Sequence, residues 1–423
     1  MNWDFLIKDK DSLCVSTDTR NLPAGCVFFA LHGERFDGNK FALQALKQGA
    51  SLAVIDDSEV YLQAQRSSSP QGNLQGAADL PRLLLVEDTL LALQDLARAW
   101  RRELALPIIG ITGTNGKTTT KELLATVLST KYNLHYTQGN LNNQIGVPLT
   151  LLQITRAHEL AIVEMGASHP GDIKELVDIA EPNYGLITNV GRAHLEGFGS
   201  FEGVQRTKQE LYDYLVAHNG TIFRNVYNPY LMRMHENALA SRLSPLASSP
   251  ITYTTGTMPS GTHLVGEYNA ENVSAAICVG EYLGISPEQA LEAIRQYVPT
   301  NNRSQSMQTA NNQLIVDAYN ANPTSMQAAI NAFKGDTYIL GAMRELGDYS
   351  HLEHQNIVNM LAERKADTVL LVGEEYLQTT SPYPVFENVE KLHKYLEDNP
   401  IKGKHILLKG SRSTRMEKLL DVL

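Results

Sequence analysis

Cysteine is scarce in this chain, with three in 423 residues, and Cys14, Cys26 and Cys278 show no metal-type spacing. The expectation is neither a disulfide framework nor a zinc site, but thiols that stay reduced. No apolar run approaches the roughly 20 residues that a bilayer crossing requires, and the first residues lack a signal-peptide pattern. A soluble, unexported, cytoplasmic protein is expected. Positive charge is in deficit as well, since 36 Lys and Arg stand against 46 Asp and Glu, a formal charge of -10. No basic cluster with interleaved aromatics offsets that balance, so a nucleic-acid partner is disfavoured. Any anionic ligand must be held by local groups.

What is present is length and alternation. At about 150 residues per domain, 423 residues suggest three domains. The first stretch closes with Leu83-Leu84-Leu85-Val86, after a polar segment from Ser67 to Gly72 that reads as a surface loop. A boundary near residue 87 follows. Asp88 is a plausible N-cap for a helix carrying Leu90, Leu91, Leu93, Leu96 and Ala97 at helical spacing, with Arg98, Arg101 and Arg102 on a solvated face. From Ile108, short apolar strands (Ile108 to Ile111, Ala161 to Val163, Gly185 to Ile187) alternate with helices and end in polar residues. That is the pattern of a parallel α/β sheet. It restarts after Arg303 with Leu314 to Val316, Tyr338 to Leu340, Thr368 to Val372 and Ile406 to Leu408, separated by helical stretches such as Ser325 to Phe333. The expected domains are 1–87, 88–300 and 301–423. Ligands of open parallel sheets sit at the carboxyl ends of the strands.

Gly110-Ile-Thr-Gly113-Thr114-Asn115-Gly116-Lys117-Thr118-Thr119 follows one such strand and precedes the helical run Lys121 to Leu128. Strand, glycine loop, Lys-Thr and helix together make a phosphate loop for ATP or a close relative. The glycines let backbone N–H groups close on phosphate oxygens, Lys117 neutralises charge, and the Thr118 hydroxyl is placed to ligate Mg2+. Gly110 stands one residue early for the strict spacing, so the tight unit is Gly-x-x-Gly-Lys-Thr.

Glu164 ends one apolar strand and His194 lies beyond another, a sparse ligand pair for a hard Mg2+ ion unless a further anion joins them. The alternative is a hydrogen-bonded Glu and a loop His. Lys208 lies in a helical stretch and, on spacing alone, is a solvated lysine. Asn140, Asn142 and Asn143 form an amide-rich loop that suits either a polar substrate or ordinary turn chemistry.

Taken in order, Gly113-Thr-Asn-Gly-Lys-Thr-Thr119, Glu164-Met-Gly166, Thr188-Asn-Val-Gly191 with His194, and Lys208 resemble the central-domain signatures of the Mur ligase family. These are the ATP-dependent amide ligases that build the peptide stem of peptidoglycan. Ser16-Thr-Asp-Thr-Arg20, Gly25 to Ala30 and Phe36-Asp-Gly38 resemble its UDP-binding segment. Gly139 to Asn143, Asp317-Ala-Tyr-Asn-Ala-Asn-Pro323, Leu340 to Gly347 with His354, and Leu408-Lys-Gly-Ser-Arg412 resemble the branch that joins D-alanyl-D-alanine to UDP-N-acetylmuramoyl-tripeptide. Related readings are a sibling ligase that adds the third stem residue, a folylpolyglutamate synthase-like ligase, and a nucleotide switch without ligase chemistry.

The resemblance implies a three-domain α/β chain: an N-terminal UDP-substrate domain, a central phosphate-loop ATPase domain and a C-terminal Rossmann-like domain. It implies ATP and Mg2+ as cofactors, CO2 carried as a carbamate on Lys208, and a monomer. The tripeptide carboxylate would attack the γ-phosphate and the dipeptide amine would displace phosphate from the resulting acyl phosphate. In this scheme Lys117, His194 and Lys208 serve catalysis, and Thr118, Glu164, His194 and carbamylated Lys208 hold metal. Asn269 contacts adenine, while Arg303 and Asp317 contact ATP. Arg20, Asn140, Asn142, Asn143, Thr188, Lys409 and Ser411 line substrate. Where the family has His before the adenine-site Asn, Tyr268 stands; Val316 replaces the Asp before Asp317, and Tyr227-Asn228 replaces an acidic pair.

Overall fold

The computed structural model describes residues 1–34, 36–67, 82–240, 249–300 and 302–423. The expected surface loop after Ser67 lies outside the described residues. By their internal contacts the residues divide into two compact units: Met1–Gly110, Tyr132–Met165 and Lys174–Asn183 form the first, and Ile111–Lys131, Gly166–Ile173 and Tyr184–Leu423 the second.

In the first unit, a four-stranded parallel sheet runs in the order Val15–Ser16, Val27–Phe29, Leu52–Ile55, Leu83–Leu85. Phe28, Ala30, Ala53 and Ile55 are buried in one cluster with Ala42 and Ala45 of the covering helix Ala42–Lys47. Val15 pairs with Val27, which sets Cys14 and Cys26 side by side, 4.5 Å apart at Cα, and they are joined as a disulfide. The expectation of separate reduced thiols is corrected here. Their spacing of 12 along the chain carries no signal; the parallel register does.

Asp88 caps the helix Thr89–Leu104 as expected, accepting from the Leu91 N–H at 2.8 Å. Its arginine face is not simply solvated. Arg101 is buried, and donates to the Ala180 and Glu181 carbonyls and to Asn183 Oδ1, each at 3.0 Å. A run of backbone carbonyls at the end of the helix Asp172–Ala180 supplies what an arginine needs in order to be buried.

The central six-stranded sheet has the order Ile251–Tyr253, Thr221–Asn225, Tyr184–Ile187, Ile108–Thr112, Leu160–Glu164, Leu134–Tyr136. Ile108–Thr112, Leu160–Glu164 and Tyr184–Ile187 extend each expected strand by one or two residues, and nearly all their side chains are buried, as parallel strands covered on both faces require.

In the second unit, the C-terminal sheet runs Gln305–Gln308, Gln313–Asp317, His405–Lys409, Thr337–Gly341, Thr368–Val372, Val385–Phe386. All neighbours are parallel except the first pair, Gln305–Gln308 against Gln313–Asp317. That antiparallel edge strand lies outside the sequence expectation, since its polar sequence Gln-Ser-Met-Gln lacks an apolar run. Alternate residues feed two cores. Ile315, Leu340, Leu371 and Leu407 pack with Met326, Ile330 and Ile357, while Leu314, Ile339, Leu370 and Leu408 pack with Leu392, Leu396 and Met416. This period-two division makes the sheet the middle layer between helices. No helix among the described residues is long and apolar enough to cross a membrane.

Candidate functional site

Within the second unit, the helix Lys117–Leu128 begins four residues earlier than the periodicity indicates, directly on Lys117. Its N-cap is Gly116, with φ of +79°, and Gly113 has φ of +145°. A Cβ at Gly113 would lie 2.0 Å from Thr188 Oγ1, and one at Gly116 would lie 2.5 Å from Asn272 Oδ1. Both glycines are thus demanded by backbone conformation and by close approach. Lys117 Nζ folds back on the loop and donates to the Gly113 carbonyl at 2.6 Å and the Thr114 carbonyl at 3.1 Å. An ammonium against loop carbonyls beside a helix N-terminus is the cradle for a polyphosphate. Thr118 is buried in the first helical turn and Thr119 follows it.

The loop is fastened from behind by Thr188 and Asn189, which follow the strand Tyr184–Ile187. Thr188 Oγ1 donates to the Asn115 carbonyl at 2.6 Å, Asn189 Oδ1 accepts from the Asn115 N–H at 3.0 Å, and the Thr114 N–H donates to the Asn189 carbonyl at 3.0 Å. Thr188 therefore braces the loop. On the opposite side, Asn269 and Asn272 open the helix Asn269–Tyr282 and are buried. Asn272 Nδ2 donates to Asn269 Oδ1 at 2.9 Å and Asn272 Oδ1 accepts from Thr120 at 3.1 Å, which ties this helix start to the phosphate-loop helix.

Lys208 sits on the helix Phe201–Ala217 but is only 2 % exposed, so the expectation of a solvated lysine is corrected. Burial holds its pKa well below the ordinary lysine value, and the nearby charge of Lys117 pushes it the same way, against weaker opposing contributions from Asp172 and Glu210. Its Nζ lies 5.7 Å from the centre of the Phe198 ring. A shift in this direction favours the neutral, nucleophilic amine over the ammonium ion. His194 Nδ1 lies against the Glu345 carboxylate, a partner that local spacing does not supply.

Arg303 is half-buried and stacks 3.7 Å over the Tyr319 ring. Asp317 accepts from Lys409 Nζ at 2.5 Å and from the Ser304 N–H at 3.3 Å. Lys409 is buried and also donates to the Asn320 carbonyl at 3.2 Å. Ser411 is buried too, its Oγ 3.1 Å from that of Ser413. Tyr268, the departure from His, bonds Ser304 Oγ at 2.5 Å, and burial raises its phenol pKa. His354 accepts from the Met343 N–H at 3.0 Å and holds the Ser350 carbonyl at 2.7 Å, so both ring nitrogens are used in positioning that turn.

In the first unit, Glu164 is buried at the end of Leu160–Glu164 and accepts from Asn142 Nδ2 at 2.8 Å. Asn143 is turn chemistry: its Oδ1 accepts from the Gly146 N–H at 2.9 Å at the start of Gly146–Leu152. Asn140 is exposed. Arg20 is exposed and forked onto Asp18, which holds that carboxyl at about 2. Among the described residues, no group of three or more His, Cys, Asp or Glu side chains converges as a metal centre.

Sequence profiles match almost end to end: one described as "Mur ligase family, catalytic domain" over residues 14–101, "Mur ligase middle domain" over 111–280, and "Mur ligase, glutamate ligase domain" over 302–412. The chain is 35% identical over 449 residues to the UDP-N-acetylmuramoyl-tripeptide--D-alanyl-D-alanine ligase of Bacillus subtilis (strain 168), covering 97% of this chain and 92% of that protein. It is 33% identical to the ligase of the same name from Escherichia coli (strain K12), with 97% and 93% covered. Among solved structures, MurF from Acinetobacter baumannii superposes with a TM-score of 0.79 at 30% identity over 96% of this chain and 92% of that one. MurF ligase from Thermotoga maritima in complex with ADP superposes with a TM-score of 0.80 at 26% identity, covering 98% of each.

Proposed function

Because this chain belongs to the Mur ligase family, we infer that it is an ATP-dependent, ADP-forming amide ligase that joins D-alanyl-D-alanine to UDP-N-acetylmuramoyl-tripeptide in peptidoglycan precursor synthesis. The observation that carries this reading is similarity over 97% of the chain to ligases of that name. The cradle at Gly113 to Thr118 supports the use of ATP, and cytoplasmic action fits substrates that are nucleotide-activated.

The proposed chemistry is two displacements. A carboxylate oxygen of the tripeptide attacks the γ-phosphorus as the bond to ADP breaks, giving an acyl phosphate. The dipeptide amine then attacks the acyl carbon, inorganic phosphate leaves, and the amine proton passes to solvent. Lys117, turning from the loop carbonyls it now holds, offsets the charge of the transferred phosphoryl group. Thr118 is proposed as a magnesium ligand; its place in the first helical turn of a glycine cradle suits a hard ion shared with phosphates. Glu164 is proposed as a carboxylate ligand. Bound magnesium supplies charge neutralisation on the β and γ phosphates. Lys208, whose pKa burial lowers, suits addition of CO2, which would make a carboxylate-like anion at that position. Asn269, Arg303 and Asp317 are proposed for the nucleotide; Arg20, Asn140, Asn142, Thr188, Lys409 and Ser411 are proposed for the substrates.

The test is phosphate release from ATP with each substrate omitted in turn. Release that needs both UDP-N-acetylmuramoyl-tripeptide and D-alanyl-D-alanine is expected. ATP turnover with neither, and no amide product, would favour a nucleotide switch.

A further inference from the structure

The side chains of Asn115 and Asn322 meet although 207 residues separate them. Asn322 Nδ2 donates to Asn115 Oδ1 at 2.8 Å, with the reverse pairing at 3.5 Å. Both residues are also held elsewhere. The Asn115 backbone is fixed on both sides by Thr188 and Asn189, so its side chain points where the phosphate loop directs it. Asn322 is the N-cap of Pro323–Ala332, its Oδ1 accepting from the Ser325 N–H at 2.9 Å while its own N–H donates to Ser325 Oγ at 3.1 Å. A second bridge runs beside the first. The Gly191 N–H donates to Thr114 Oγ1 at 2.9 Å, and the next N–H, of Arg192, donates to Thr324 Oγ1 at 3.1 Å. Asn322 is 7 % exposed and Asn115 half-buried, so their hydrogen bond is partly shielded from water. Loss of such a bond leaves a buried polar group unsatisfied rather than merely exchanging it for solvent.

We propose that Asn322 is a positioning residue: through Asn115 it couples the phosphate loop to the start of the helix Pro323–Ala332 and to the segment Asp317 to Asn320 before it. The coupling deepens the ligase reading and rests on it for its purpose. That segment carries Asp317 and the carbonyl of Asn320, both held by Lys409 at the carboxyl edge of the C-terminal sheet, where an open parallel sheet takes its ligand. The incoming amine must reach a carbonyl whose phosphate is still seated on the loop. An amide pair between the phosphate loop and the N-cap sets that distance, and a loop reorganised by nucleotide moves the helix start with it. Misplacement of this kind costs rate without touching the reacting atoms.

Substitution can separate capping from coupling. Asn322→Ser keeps a strong N-cap oxygen but is too short to reach Asn115. Asn322→Asp keeps both the cap and the length, and the Asn115 amide can rotate to donate Nδ2 to the new carboxylate. For Asn322→Ser, kcat/KM for D-alanyl-D-alanine should fall about tenfold, with KM for ATP changed less than about twofold. Asn322→Asp should recover most of the loss, and both should melt within a few degrees of the wild type. Independently of turnover, hydrogen exchange of the first-turn amides of Pro323–Ala332 should slow when ADP and magnesium are added to the wild-type protein and not when they are added to Asn322→Ser. An Asn322→Ser protein that keeps the nucleotide-dependent slowing, or an Asn322→Asp protein damaged as badly as Asn322→Ser, overturns the coupling. Absence of dipeptide-dependent phosphate release in the wild type would instead overturn the ligase reading, and the exchange measurement would still decide the coupling.

Discussion

Lys208 lies buried within electrostatic reach of Lys117, so the lysine of the helix Phe201–Ala217 is pressed toward its neutral form by burial and, beyond that, by the lysine of the phosphate loop. A surface lysine at the same helical spacing would remain an ammonium ion and would not add CO2 at neutral pH. Removing the amine by Lys208→Ala should lower the ligation rate by about tenfold to a hundredfold where a carbamate serves the metal. A short-chain carboxylate such as acetate should partly restore it. Labelled CO2 should give the wild-type protein a carbamate carbon resonance that Lys208→Ala lacks. Wild-type activity in Lys208→Ala would sink the assignment.

The place of Thr188 Oγ1 where a Cβ on Gly113 would stand predicts a second result. At φ of +145°, with 2.0 Å available for a Cβ, Gly113→Ala carries strain of about 1–3 kcal/mol and must displace the threonine that braces Asn115. Affinity for ADP, measured calorimetrically, should drop about tenfold to a hundredfold. Unchanged affinity would show that the loop is not the nucleotide seat.

The Lys409–Asp317 pair predicts a stability effect. Lys409 is 1 % exposed and its partner carboxylate 15 %, so Lys409→Met strands a largely buried anion at a cost of about 3 kcal/mol. Chemical denaturation should show that loss, and Lys409→Met combined with Asp317→Leu should recover much of it. Additive losses in the double variant would mean that the two side chains do not interact.

His135 predicts a pH dependence. Burial first, and the neighbouring His158 second, lower its pKa from 6.5 to about 4. The unfolded chain therefore binds the proton more readily, and the sign follows: stability is unaffected above about pH 6.5 and falls as pH drops toward 4, by up to about 3 kcal/mol. His135→Gln should flatten that acid limb in denaturation curves recorded from pH 7 to 4. An unchanged slope would place the titrating group elsewhere.

Features built from contiguous residues are legible in the sequence. The phosphate loop, Asp88 as a cap and most parallel strands depend on neighbours within a few residues, where dihedral preferences and period-two burial act directly. The polar edge strand Gln305–Gln308 is not legible in that way, because an edge in an antiparallel pair need not be apolar. The Cys14–Cys26 pair is hidden for a different reason, since it follows from the register of Val15 with Val27 and not from the cysteine count.

The sequence by itself determined the chemistry on offer: a glycine loop with Lys117 and Thr118, carboxylates and amides after strands, and the order of motifs that marks the family. Tertiary structure decided which charges lost their water. Arg101 found carbonyls some 80 residues away, Lys409 found Asp317 across 92, and Lys208 was enclosed with Lys117 nearby. Exposure is a property of whatever packs against a side chain, and local spacing holds no record of it. Desolvation then biases a lysine from cation toward amine, which is why the identity of Lys208 could be read from the chain and the direction of its pKa shift only from the fold.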